Sequence, residues 1–272
     1  MATLGLQPLA CALPGVEAAS ADTAFSFARH THDQFGVGVI DRGAQRSASG
    51  RGRVEAGPGC VITVNPGEVH DGASLDGAPR AWRMLYIDPA VVAELAAELA
   101  PQRPLNALEF PLPVLQDARA AGGFDRAFRA LTGAGASDRL AQEQGLWQLL
   151  GSLLGRPLQS VGSVPAALRH ARQCLDDCPQ DPLSLAMLAE QAGLSRFHFL
   201  RVFSRATGLT PHAYLLQRRV QRARRLIRLG RGLSEAAQDS GFADQSHMTR
   251  VFVRSFGVTP GVYAQAMGRR RR

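Results

Sequence analysis

The chain has 272 residues, 45% of them hydrophobic, with 31 arginines, no lysine, 23 acidic residues and a formal net charge of +8. That length suffices for two units with separate cores. With no run of about 18 uninterrupted apolar residues it offers no membrane span, and its four cysteines are too few for a disulfide framework. The start, MATLGLQPLACALPG, lacks a charged flank and is broken by Pro8 and Pro14, which makes it a poor secretory signal. A cytoplasmic location is expected. The charge is uneven: residues 166–272 hold 18 Arg against 7 acids, whereas residues 1–165 hold 13 Arg against 16 acids. A basic back half behind a mildly acidic front half points to a nucleic-acid-binding module joined to something else.

Residues 22–88 read as short strands. Apolar or alternating runs, Phe35–Ile40, Cys60–Val64 and Trp82–Ile87, are separated by Asp41-Arg42-Gly43, Gly57-Pro58-Gly59, Asn65-Pro66-Gly67 and Asp76-Gly77. Regular strands with Pro/Gly turns imply an antiparallel sandwich or small barrel. After Asp88-Pro89 the period becomes helical, with Val91, Val92, Leu95 and Leu99 on one face. A Pro-broken stretch at 101–113 follows, then helices near 114–131 and 138–154, and a linker at 155–165. Cys174 and Cys178 share a helix face and are expected to be small apolar filler rather than metal ligands.

From Ala166 onward the pattern is helical throughout, with helices expected near 166–177, 184–192, 196–206, 211–229, 233–240, 245–255 and 260–267. Within it the chain repeats itself. Ser195–Tyr214 and Asp244–Tyr263 agree at nine of twenty positions, including His198/His247, Arg201/Arg250, Phe203/Phe252, Gly208/Gly257, Thr210/Thr259, Pro211/Pro260 and Tyr214/Tyr263. Ser195 and Asp244 suit helix N-caps, Gly208 and Gly257 suit left-handed closures, and Thr-Pro opens the next helix. Preceded by AEQAGLS and AQDSGFAD, each copy reads as a helix-turn-helix.

In the first copy Phe199, Val202, Phe203 and Ala206 fall on the core face, leaving Arg196, Phe197, Leu200, Arg201, Ser204 and Arg205 outward. In the second, Met248, Val251, Phe252 and Ser255 fall inward, leaving Gln245, Ser246, Thr249, Arg250, Val253 and Arg254 outward. Arg pairs with guanine, Gln with adenine, and apolar groups meet thymine methyls. A connecting helix over 211–229 spans about 28 Å at 1.5 Å per residue, close to one DNA turn of roughly 34 Å. Arg218, Arg219, Arg222, Arg224, Arg225 and Arg228 on it, and Arg269–Arg272 beyond, are candidate phosphate contacts. His198 and His247 are expected to be structural.

These motifs, two helix-turn-helix units each closed by GxTPxxY and GFADQSHMTRVF in the second, resemble the AraC/XylS-type transcription regulators over residues 166–267. The resemblance implies a seven-helix DNA-binding domain at 166–268 whose third and sixth helices enter successive major-groove segments. Base-reading roles then carry over to Phe197, Leu200 and Arg201 in the first unit and to Gln245, Ser246, Thr249 and Arg250 in the second. The front half, through HTHDQF at 30–35, Gly43 and PGCVITVNPGEVHDG at 58–72, is similar to the cupin-like effector-binding domain of the same regulators, placed at 1–113. A helical dimerisation segment at 114–155, a linker at 156–165 and a basic tail at 269–272 complete the expected two-domain, all-β-then-all-α architecture.

Metal-binding cupins use two His and a Glu from one motif and a His from another. His30, His32 and His70 match three of those places, but Gln34 stands where the acid is expected, so neither metal nor cofactor is expected. His30, His32, Phe35, Glu68, His70, Trp82, Met84 and Tyr86 are instead the expected lining of an effector pocket. The expected function is a one-component, non-enzymatic transcription regulator that binds promoter DNA, an unknown small molecule, RNA polymerase and a second copy of itself. A metal-dependent cupin enzyme with a DNA-targeting domain and an architectural DNA binder without effector are the competing readings.

Overall fold

A computed structural model describes residues 5–99, 108–133, 139–154 and 166–268. The linker at 155–165, Arg269–Arg272 and most of the Pro-broken stretch lie outside the described residues. The chain forms two compact units, an N-terminal one and one over the C-terminal helices, with which Phe27–His30 are grouped.

The N-terminal unit is built from two antiparallel sheets. The larger has the order β1 (Leu6–Leu9), β2 (Val16–Thr23), β9 (Arg80–Ile87), β4 (Phe35–Arg42), β7 (Val61–Val64), β10 (Val114–Leu115). The smaller runs β3 (Phe27–His30), β8 (His70–Ser74), β5 (Gln45–Ser49), β6 (Gly52–Ala56). The expected turn glycines Gly43, Gly59, Gly67 and Gly77 all adopt positive φ, where a side chain would be strained.

Alternation along β9 assigns its two faces. Leu85 and Ile87 enter the main core with Val37, Val39, Phe124, Leu149 and Leu150, each large side chain there contributing about 1.5–3 kcal/mol by leaving water. Arg80, Trp82, Met84 and Tyr86 occupy the opposite face, and Arg80 reaches across to Gln45 and Gly72 of the smaller sheet. Helix α1 (Pro89–Leu99) follows β9 directly, while α2 (Ala118–Thr132) and α3 (Arg139–Leu153) supply the helical side of the core. Arg83 holds α2 to the sheet: it pairs with Asp41 at 2.5 Å and Asp125 at 2.9 Å, and its guanidinium lies over the rings of Phe124 and Phe128.

Two expectations are corrected here. Strands begin well before residue 22, because VEAASADT forms β2 between β1 and β9, its alanines thin enough to pack on both faces. The helix expected from 114 begins at Ala118: Val114 and Leu115 pair with Ile62 and Val61, and the Asp117 carboxylate then accepts from Arg119 and Ala120 N–H as the N-cap.

The C-terminal unit has seven helices among the described residues: α4 (Ala166–Asp177), α5 (Leu185–Gln191), α6 (Arg196–Thr207), α7 (Pro211–Arg228), α8 (Leu233–Asp239), α9 (Gln245–Phe256) and α10 (Pro260–Gly268). The repeated sequence builds the same joint twice. Ser195 and Asp244 side chains accept from His198 and His247 N–H, and Gly208 (φ 77°) and Gly257 (φ 71°) close α6 and α9 in the left-handed region. Thr210 and Thr259 hydroxyls then accept from Ala213 and Val262 N–H. Tyr214 and Tyr263 pack on Phe203 and Phe252, with ring centroids 5.5 and 5.6 Å apart.

Candidate nucleic-acid interface and ligand site

The outward faces of α6 and α9 are as the repeat requires. Phe199 and Phe203 in the first helix, and Met248, Val251, Phe252 and Ser255 in the second, are buried. Arg196, Phe197, Arg201 and Arg205 are exposed on α6, and Gln245, Ser246, Arg250 and Arg254 on α9, while Leu200 and Thr249 are half-buried beside them. Phe197 is 69% exposed, with the Arg201 guanidinium 5.9 Å from its ring centre. An apolar ring held open to water at this place suits contact with a base face or methyl better than a solvated surface. The hydroxyl of Thr249 donates back to Gln245 O at 2.8 Å within the helix.

The arginines divide into two groups. Arg196, Arg201, Arg205, Arg250 and Arg254 make no hydrogen bond or ion pair to the protein among the described residues. Those of α7 are engaged. Arg218 pairs with Asp176 at 3.1 Å, Arg219 donates to Pro179 O, Arg222 to Asp239 O, and the buried Arg224 to the Tyr263 hydroxyl. Arg225 and Arg228 have partners as well. The α7 arginines expected as phosphate contacts therefore serve mainly to fasten this 18-residue, about 27 Å rod to its neighbours. On the α4 side the fastening is a network: the Tyr214 hydroxyl donates to Asp176 at 2.7 Å, and burial raises that phenol above its ordinary pKa. His247 is structural as expected, edge-on to Phe242 at 5.2 Å, whereas His198 is exposed. Cys174, expected as apolar filler, lies half-buried with Sγ 3.7 Å from Gln191 Oε1.

In the N-terminal unit the expected pocket residues separate. Trp82, Met84 and Tyr86 share the inner face of β9, and the ring of His32 stands 5.2 Å from both His70 and Tyr86. Ring nitrogens of His30, His32 and His70 all fall within 4.8 Å of one another. Nδ1 of His30 and of His70 each meets a backbone carbonyl, Ala28 O at 2.7 Å and Glu68 O at 3.1 Å, so each Nδ1 carries a proton and donates it there. Burial lowers the pKa of His70 to about 4, only partly offset by that carbonyl bond. Gln34 at the acidic place donates to Asp88 at 2.8 Å.

The side chains of Phe35 and Glu68 are held elsewhere, although the backbone carbonyl of Glu68 meets His70. Phe35 lies on the opposite face of the sheet, in the core, edge-on to Phe110 at 5.6 Å. Glu68 is taken up by Arg51, a nearly buried pair at 2.6 Å whose guanidinium also donates to Phe110 O.

Sequence comparison agrees with this arrangement. A family model of the AraC-like ligand binding domain matches residues 13–150, just over half of the chain, and a helix-turn-helix domain matches residues 188–266. The chain belongs to the AraC family of transcription regulators. An uncharacterised HTH-type transcriptional regulator, YbfI of Bacillus subtilis (strain 168), is 26% identical over 227 residues, covering 82% of this chain and 81% of YbfI. A probable transcriptional regulator, LumQ of Photobacterium leiognathi, is 36% identical over 85 residues, 31% of this chain and 34% of its own length. Apo ToxT of Vibrio cholerae superposes with a TM-score of 0.58 at 13% identity over 94% of this chain and 98% of its own. The unsaturated fatty acid-bound form of ToxT gives 0.56 at 14% identity, over 92% and 94%. At such identity the likeness is one of fold.

Within this AraC-family fold, reasoning from sequence missed the buried Arg80 on the inner face of β9 and its partners Gln45 and Gly72 on the smaller sheet. The signal was present: counting back by two from Tyr86, Met84 and Trp82 reaches Arg80.

Proposed function

We propose that this AraC-family protein is a one-component regulator in the cytoplasm. A small molecule held between the two sheets changes how α6 and α9 engage a specific promoter sequence. The observation that carries this reading is the division of the arginines: those on the outward faces of α6 and α9 are unengaged by the protein, while those of α7 are bonded within it. Cations left open on two matched helices suit base edges and phosphates. An inner face of Trp82, Met84 and Tyr86 with a few placed imidazoles suits a small organic ligand, and the fatty acid bound in one ToxT structure supports a ligand of that size for this fold.

Between α2 and α3 lies an open cleft of about 540 Å³ bordered by the small residues Ala120, Gly123, Ala130, Ala141 and Gly145. It supports residues 114–155 as the place where a second copy docks, giving a homodimer that presents its reading helices to DNA and to RNA polymerase. Genome-wide footprinting of the full chain tests the central reading. Discrete protected sites that disappear in Arg250→Ala and shift in strength with one class of metabolite are expected; uniform low-level binding along the genome would remove it.

A second reading, a metal-dependent enzyme with a DNA-targeting unit, is favoured by the imidazole cluster alone. Imidazole nitrogens suit borderline divalent ions. Stoichiometric iron, manganese or zinc in the purified protein, lost in His32→Ala and His70→Ala, would support it.

A further inference from the structure

Among the described residues of the N-terminal unit, Arg80 is a fully buried charge without an acidic partner. Its side chain is 1% exposed, yet no carboxylate lies within ion-pair distance of it among the described residues. Its guanidinium donates to three neutral oxygens: Gln45 Oε1 at 3.3 Å through Nε, Phe25 O at 3.1 Å through Nη1 and Gly72 O at 3.2 Å through Nη2. The indole of Trp82 lies beneath it, 4.7 Å to the ring centre. A guanidinium carries five N–H groups, so one remains on each terminal nitrogen. Burial pushes its pKa below the ordinary value, with no charged neighbour pulling it back, although an arginine stays protonated regardless.

The same unit shows how a structural arginine is treated. Arg51, less enclosed at 13% exposure, is neutralised by Glu68. A buried cation without such a partner is costly, and uncompensated charge of this kind gathers at functional sites. There is also room beside it. A Cβ added at Gly72, on the facing strand, would meet nothing nearer than Arg80 Nη2 at 3.8 Å, and Gly72 has an ordinary negative φ.

We propose that Arg80 is the anion anchor of the effector pocket, and that the effector is an organic monocarboxylate. Its two oxygens accept from the remaining Nη1–H and Nη2–H, and its apolar body lies along Trp82 and Met84. Paired N–H groups match a carboxylate in a way that a single charged nitrogen does not. This deepens the effector reading above and rests on it.

The experiment uses the full-length chain and three matched pairs of probes: benzoate and benzamide, decanoate and decanamide, oleate and oleamide. Binding is read by calorimetry and by the fluorescence of Trp82 in a Trp147→Phe background. At least one carboxylate is expected to bind about tenfold or more tightly than its amide. That preference disappears in Arg80→Gln and is partly kept in Arg80→Lys, while Gly72→Val, which fills the space beside Nη2, blocks the ligand with Arg80 intact. A cooperative thermal melt of the N-terminal unit shows that each variant is folded. Amides binding as tightly as acids, or carboxylate affinity unchanged in Arg80→Gln, would overturn the anion anchor yet leave the effector reading standing. Silence from all six compounds would count against both.

Discussion

Arg250 and Arg201 hold the same place in the two copies of the repeat, and each is exposed with no hydrogen bond or ion pair to the protein among the described residues. Their settings differ. Arg201 lies near the open ring of Phe197, whereas Arg250 shares its helix with the polar Gln245, Ser246 and Thr249. On the proposed reading, the second unit would serve hydrogen-bond readout and the first methyl and stacking contact. Arg250→Ala is expected to cost about 1–3 kcal/mol on the cognate site and to relax preference at one base pair. Gel shifts on a panel of single-base operator variants check this, since equal loss on random DNA would make Arg250 a phosphate contact instead.

His70 gives a second prediction at this scale. Its folded pKa, lowered to about 4 from 6.5 by burial, lies below the unfolded value. The unfolded chain thus binds the extra proton first. The stabilisation is complete above about pH 6.5 and is lost as pH falls toward 4, amounting to roughly 3 kcal/mol across that window. Thermal melts of the N-terminal transition should fall over this range in the native protein. The fall should be shallower in His70→Asn, whose amide can still donate to Glu68 O.

At the scale of elements, the two joints of the C-terminal unit rest on a few positions with separable roles. Gly257 closes α9 at φ 71° with its N–H donated to Val253 O. Gly257→Ala places a Cβ in the left-handed region and should destabilise the unit by about 1 kcal/mol. Thr259→Ala removes the cap over Val262 N–H and should cost a similar amount. Chemical denaturation followed by far-UV circular dichroism reads both.

These joints were legible because each punctuating residue acts locally: Ser or Asp caps, Gly closes, Thr-Pro reopens. Every expected helix from 166 onward came within a residue of its observed ends for that reason. Strand β2 was not legible. VEAASADT lacks the branched residues that mark a strand, and its conformation is imposed by the registers with β1 and β9 on either side. Arg80 was passed over for a related reason, since a charge at the head of a strand reads as solvent-facing until the facing sheet is in place. The α7 arginines erred the other way: their partners, Asp176 and the carbonyls of Pro179 and Asp239, sit far along the chain, so only tertiary structure could reveal them as internal fasteners.

For the molecule as a whole, the net charge of +8 arises from the C-terminal part, and its usable portion is smaller than the count suggests. With most α7 arginines engaged, the salt dependence of DNA binding should reflect chiefly the arginines of α6 and α9 and the tail Arg269–Arg272. Removing those four tail residues is expected to weaken binding to all sequences alike and to reduce the slope of log affinity against log salt by about one per lost phosphate contact. An unaltered slope would take the tail out of the interface.

Strand β9 carries Arg80 and Trp82 toward the space between the sheets and Arg83 toward α2, so the two sides differ by a single step along the backbone. A guest that tugs on Arg80 pulls on the same strand from which Arg83 grips Asp125 and the Phe124–Phe128 pair. Arrival of a molecule inside would then be felt outside as a tilt of α2, with no long relay in between. Severing the grip with Arg83→Met should leave such a molecule able to bind while muting its effect on self-association, measured as the ligand-induced change in dimer dissociation constant.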